Sequence, residues 1–360
     1  MAASARSSTE ASPATADASA LELTLRSLRP ILADADVTEL CINAPGECFV
    51  ERCGASRGGW QRQPLAFADY DWCLRLARLV ANYTRQRIDE ESGLLSASLP
   101  SGERIQIAVP PVCAAGTVAI AIRRPADRTW SVAELAARGI FAGTRRASAE
   151  ADATDATLSA LLHAGEYARF VTEAVRARRN IVVSGATGSG KTTFTKALLL
   201  EIPASERLIT IEDAAELALD RHPNHVRLFY SRDGQGLARV TPRRLLECSL
   251  RMKPDRILLA ELRGDEAFDY LRNVCSGHPG SITSVHAASA ELAFEQLALL
   301  VKQNPAGREL SRTEIQALLH RLVDVVIQFG LDDGRRVIRE IWFDPASRQR
   351  AAARNPGIER

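Results

Sequence analysis

Residues 181–200 read IVVSGATGSGKTTFTKALLL. A short apolar run, a loop with glycines at 185, 188 and 190, a lysine followed by two threonines, and a run of helix formers together spell strand, tight loop and helix. The glycines free the backbone amides to turn toward an anion. Lys191 adds a positive point charge, and the Thr192 hydroxyl suits Mg²⁺. Gly185, Ala186, Thr187, Gly188, Ser189, Gly190, Lys191, Thr192 and Thr193 are therefore read as the phosphate-binding loop for ATP with Mg²⁺.

Around this loop, strand-like runs at 180–184, 207–211, 256–260 and 281–285 alternate with helical patterns. Such alternation implies βα units and a largely parallel sheet. Three of the runs end in polar residues: Glu212 and Asp213, Glu261, and His286. Ligands of open parallel sheets lie beyond the carboxyl ends of the strands, so these groups are candidates to converge on the loop. Glu261, after Ile-Leu-Leu-Ala, reads as the acid that holds Mg²⁺ through water or orients the attacking water, with Glu212 a second candidate. Either acid would alternatively cap a helix N-terminus. His286 is placed to sense the γ-phosphate by hydrogen bonding, whereas for His278 a loop or core histidine is at least as good a reading.

Upstream, runs at 37–43 and 48–52 form a hairpin around Ala-Pro-Gly-Glu, residues 70–87 carry a helical apolar face, and strands resume near 104–109 and 117–123. The expected organisation is a disordered leader (1–20), a smaller α+β N-terminal domain (21–124), a linker region (125–166), an ATPase domain (167–345) and a tail (346–360). The clearest linker sequence is RRASAEADATDAT at 145–157, which holds no large apolar residue. A helix capped by Thr241 with Pro242 first, and another opened by Ser311 and Glu314, complete the second half before two strands joined at Asp332, Asp333 and Gly334.

The chain has 360 residues, a net charge of +2 and seven cysteines without a CxxC pair. That balance excludes a disulfide framework or zinc module as the organising device and gives no reason to expect direct nucleic-acid binding. Its apolar runs are shorter than the roughly 20 residues of a membrane span, and a reducing cytoplasm fits best. Arg104 and Arg123 lie in the first domain, where arginine compensation of phosphate competes with a solvated-surface reading.

Four blocks in order resemble the secretion-motor superfamily: GATGSGKTT from Gly185, ITIEDAAEL from Ile209, MKPDRILLAELRG from Met252 and GHPGSITSVHA from Gly277. Within it, the stretches from Asn224 to Phe268 and AELAFEQLALLVKQN from Ala290 are similar to the VirB-eleven traffic ATPases of type IV secretion, of the branch with a longer interdomain linker. LPSGERIQIAVPPV and TVAIAIRRP in the first domain extend the likeness to about residues 25–345. One departure is Ala260 before Glu261, where the superfamily usually has glycine.

The resemblance implies an α/β, RecA-like P-loop NTPase domain behind the smaller N-terminal domain, hydrolysing ATP as a homohexamer. It would work peripherally at the cytoplasmic face of the inner membrane, beside other type IV secretion ATPases and inner-membrane components. It carries phosphate contact over to Arg104 and Arg123, and a role near the subunit boundary to Arg263. A type II secretion or type IV pilus motor, a nucleotide-gated scaffold with little hydrolysis, and a DNA translocase are the rival readings.

Overall fold

The computed structural model describes residues 13–54, 58–126, 128–144, 153–232, 235–275 and 277–346. The chain divides into two compact units, the first built from residues 1–55, 60–127 and 236–239, the second from 56–59, 128–235 and 240–360.

In the first unit, helix α1 (Pro13–Leu25) and the short α2 (Arg29–Leu32) precede strands β1 (Val37–Ile42), β2 (Gly46–Arg52) and β3 (Gln61–Leu65). Helix α3 (Tyr70–Tyr83) then leads to β4 (Leu94–Ser98), β5 (Arg104–Ala108) and β6 (Ala119–Arg123). The six strands form one antiparallel sheet in the order β3-β2-β1-β6-β5-β4. Its apolar face, with Leu40, Val50, Ile107 and Ile120, joins Trp72, Leu76 and Val80 of α3 and Leu21 and Leu25 of α1 in one core.

α3 starts where Asp69 accepts the Trp72 amide at 2.7 Å. It ends before the expected residue 87 because the Thr84 hydroxyl back-bonds to the Val80 carbonyl at 2.8 Å and Arg85 turns to a φ of 54°. α1 begins at Pro13, inside the stretch expected as a disordered leader, and buries Leu21 and Leu25; residues 1–12 lie outside the described residues.

The second unit opens with α4 (Val132–Ala137), α5 (Ala153–His163) and α6 (Tyr167–Arg176), then β7 (Ile181–Ser184), α7 (Lys191–Leu200), β8 (Leu208–Glu212) and β9 (His225–Phe229). It continues with α8 (Pro242–Ser249), β10 (Arg256–Leu259), α9 (Glu266–Cys275), β11 (Ile282–Val285), α10 (Ala290–Val301), α11 (Pro305–Arg308), α12 (Arg312–Leu322), β12 (Val325–Asp332) and β13 (Arg335–Trp342). The expected linker region thus contains α4 and α5, and α5 buries Leu158 and Leu161. Of the 145–157 sequence, residues 145–152 lie outside the described residues.

β10-β8-β9 and β11-β7-β12-β13 are hydrogen-bonded sheets, parallel except at β13. A seam joins them: the Ser281 and Ser284 hydroxyls donate to the Ile257 and Ala260 carbonyls, each at 2.9 Å, so β11 runs beside β10 in the same direction. All parallel strands therefore end on one edge, where polar residues reach the solvent side of an apolar core around Val183, Leu258 and Ile327.

Buried ion pairs close the opposite edge. Arg256, fully buried, donates to Glu206 at 2.7 Å, and Arg178 reaches the same carboxylate at 2.7 Å. Removing one partner of such a set leaves an uncompensated buried charge, so it fixes the register of β10 against the chain entering β8. His278 lies in the loop before β11, at this edge and away from the phosphate-binding loop.

Among the described residues, no helix is long and apolar enough to cross a membrane. The cysteines at 41, 48, 73, 113 and 248 are buried free thiols; burial pushes Cys48 and Cys113 to about 11 and Cys73 to about 12, which keeps them unreactive.

Candidate functional site

At the carboxyl end of β7 the chain cannot carry a side chain: a Cβ on Gly185 would stand 2.9 Å from the Phe329 Cβ and 3.0 Å from its carbonyl oxygen on β12. The loop then reaches Gly190, at a φ of 105°, which starts α7 without any side-chain cap. The first amides of α7 consequently point out of the loop with no side chain claiming them, the arrangement that favours an anion. Thr192 and Thr193 are exposed in that first turn.

Lys191 folds back over the loop. Its Nζ donates to the Gly185 and Ala186 carbonyls at 2.8 and 2.9 Å and stands 3.2 Å from His286 Nδ1. Burial lowers its pKa from the usual lysine value, Glu261 opposes that shift, and Arg263 adds to it. His286, just past β11, brings Nε2 to 2.7 Å from Glu261 Oε1, and Arg263 pairs with the other Glu261 oxygen. An ammonium can only donate, so for an uncharged imidazole Nδ1 is the acceptor and Nε2, facing Glu261, carries the proton. Arg263 is held above the ordinary arginine value, chiefly by its bond to Glu261, with Asp213 and Tyr230 contributing.

Three strand ends and the loop thus bring Lys191, His286, Glu261 and Arg263 into one line of contacts. Glu212 is not in that line. Fully buried at the end of β8, it takes Arg227 Nε and Nη2 at 3.0 Å each, the Thr210 hydroxyl at 2.6 Å, and the Glu216 and Leu217 amides at 3.0 and 2.9 Å. Every oxygen of the carboxylate is used to tie β8 to β9 and to close the following turn.

Glu212→Gln should therefore act first on stability. Loss of one partner of a buried bidentate pair costs about 3 kcal/mol, a fall of roughly 6–12 °C in melting temperature for a domain of this size. Differential scanning fluorimetry against Glu261→Gln checks it; equal melting temperatures in the two variants would contradict the contrast.

In the first unit, Arg104 and Arg123 face each other across β5 and β6. Like charges directly opposite on neighbouring strands repel, and what offsets them is the nearly buried Glu39 carboxylate, 3.5 Å from Arg123 Nε. Both arginines are exposed.

The family model described as Type II/IV secretion system protein matches residues 26–331. The type IV secretion system protein VirB11 of Brucella suis biovar 1 (strain 1330) is 46% identical over 337 residues, covering 92% of each chain. PtlH of Bordetella pertussis, also a type IV secretion system protein, is 42% identical over 327 residues, covering 89% of this chain and 94% of its own. The crystal structure of the VirB11 ATPase from the Brucella suis type IV secretion system in complex with sulphate superposes with a TM-score of 0.89 at 45% identity, covering 94% of this chain and 99% of that one. The chain belongs to the VirB11 family of secretion ATPases.

As a VirB11-family member it is a secretion-system motor ATPase. The coarse fold, mixed α/β, is that of the Brucella VirB11 structure. Two residues of this VirB11-family site carry no sequence signal. Gln328 of β12 sits opposite Ser184 in the ladder, and its Nε2 donates to the Ala287 carbonyl at 3.1 Å, pinning the residue that follows His286. Arg227, the partner of Glu212, lies on β9, whose alternation is that of a half-buried strand but does not show which acid the arginine meets.

Proposed function

We propose that this ATPase hydrolyses ATP with Mg²⁺ at the loop of 185–193 through a RecA-like domain, and that it works as a homohexameric ring driving substrate transfer or pilus assembly in a type IV secretion system. The observation that carries the catalytic part is the contact line Lys191–His286–Glu261–Arg263 beside the loop. The RecA-like reading is supported by β11, inserted between the loop strand β7 and the acid-bearing strand β10 and delivering His286 to the same edge.

The loop amides and Lys191 hold the β- and γ-phosphates. Glu261 orients a water oxygen toward the γ-phosphorus and takes its proton; the bond to the bridging oxygen breaks, leaving ADP and phosphate. His286, in contact with both Lys191 and Glu261, reports the γ-phosphate to them, and Arg263 holds the Glu261 carboxylate in place. The residues that would hold Mg²⁺ offer oxygens, the Thr192 hydroxyl and, through water, the Glu261 carboxylate, a donor set that suits a hard cation. When bound, Mg²⁺ neutralises phosphate charge. Glu212 supports the site from β8, with water positioning a secondary role. Arg104 and Arg123 contact nucleotide phosphate, a reading supported by their cross-strand juxtaposition.

In this reading the ring works peripherally at the cytoplasmic face of the inner membrane, among the other secretion ATPases and inner-membrane components. Native mass spectrometry with ATP and Mg²⁺ should give six times the mass of the chain. A strict monomer at micromolar concentration with saturating nucleotide would overturn the ring.

A further inference from the structure

β12 runs parallel to β7 with Gln328 level with Ser184, the last residue of β7. It then continues through Phe329, Gly330, Leu331 and Asp332, past the end of β7 and alongside the phosphate-binding loop. Phe329 packs on Phe194 of α7 with ring centroids 5.0 Å apart, which holds this extension against the start of the helix. The turn at Asp333 and Gly334, both at positive φ, sends β13 back antiparallel, with Arg336 opposite Leu331.

That register lays the Arg336 stem across the loop. The three atoms nearest to a Cβ built on Gly190 are Arg336 Cδ at 3.1 Å and its Cβ and Cγ at 3.8 Å each. Glycine at 190 is thus required twice, by its φ of 105° and by the arginine lying over it. The guanidinium on that stem is exposed and has no hydrogen-bond or ion-pair partner among the described residues. Its neighbour Arg339, by contrast, is committed to the Leu331 carbonyl. An unpaired guanidinium on a strand, fixed by its stem one residue before Lys191, is a fork of donors beside a loop built for anions.

We propose that Arg336 is a nucleotide-binding residue, giving its guanidinium to the polyphosphate chain of the nucleotide held on the loop. Arg336 supplies, from within the ATPase unit, a second positive charge beside the ammonium of Lys191. The assignment rests on nucleotide binding at the loop of 185–193.

The test is the dissociation constant of a fluorescent ATP analogue for the full chain and its Arg336→Ala, Arg336→Gln and Arg336→Lys variants, with inorganic tripolyphosphate as competitor. Arg336→Gln keeps most of the stem and removes the charge. Ala and Gln should weaken both the analogue and tripolyphosphate about tenfold, as expected for one charge-assisted contact, with part of the loss regained by Lys. Melting temperatures without nucleotide should not change.

ATP-analogue affinity within twofold of wild type in both Ala and Gln variants would overturn the proposal. So would a loss confined to the analogue with tripolyphosphate unaffected, which would mean a contact to the base. Lys191→Ala in the same assay separates the two levels. If it also binds as wild type, nucleotide binding at the loop itself fails; if it alone loses binding, only the assignment of Arg336 fails.

Discussion

Glu261→Gln should lower turnover by about a thousandfold, within the range removed with a general base, while ATP affinity stays close to wild type. The substitution is isosteric, so the contacts to His286 and Arg263 keep their shape, but an amide neither takes a proton from water nor carries the charge that Lys191 and Arg263 face. The carboxylate side chain is 14% exposed and its arginine partner 46% exposed, so the loss of charge is shared with solvent and the fold survives. Steady-state phosphate release beside equilibrium nucleotide binding reads both halves. Equal and mild losses in Glu261→Gln and Glu212→Gln would mean that neither acid positions the water.

Lys191→Ala should abolish turnover through a different route. The ammonium bridges the Gly185 and Ala186 carbonyls and borders His286, so its removal deletes phosphate charge compensation and loosens the loop that presents the amides. Loss of about 4 kcal/mol of transition-state stabilisation corresponds to roughly a thousandfold in rate, here joined by weakened ATP binding, unlike the glutamate variant. Phosphate release together with ATP titration distinguishes the two variants. Retained binding in Lys191→Ala with activity within tenfold of wild type would contradict the role.

The central elements were legible because their signals are local. The loop announces itself by glycine spacing, and Glu261 and His286 each stand directly after a short buried run, which is how a parallel strand delivers a side chain to its carboxyl edge. Glu212 carries the same local signal, yet it is saturated by Arg227 from a strand, His225–Phe229, that alternates polar and apolar residues and lies beyond a long loop. Nothing within five residues of Glu212 distinguishes a working acid from one locked in a bidentate pair.

β3 and β4 are not legible in the sequence for a related reason. Gln-Arg-Gln-Pro-Leu and Leu-Leu-Ser-Ala-Ser gain their strand character from neighbours β2 and β5 in the sheet, not from their own patterns. Arg336 needed more still. The hairpin around Asp333 and Gly334 could be read, but the arginine comes over Gly190 only through the pairing of β13 with β12 and of β12 with β7.

The most direct test of the account is the fate of γ-labelled ATP on Glu261→Gln with Mg²⁺ present. The label should be retained by the protein as intact ATP over many wild-type turnover times, since binding through the loop and Lys191 is separate from water activation by Glu261. Release of labelled phosphate at the wild-type rate would remove Glu261 from the chemistry and contradict the account.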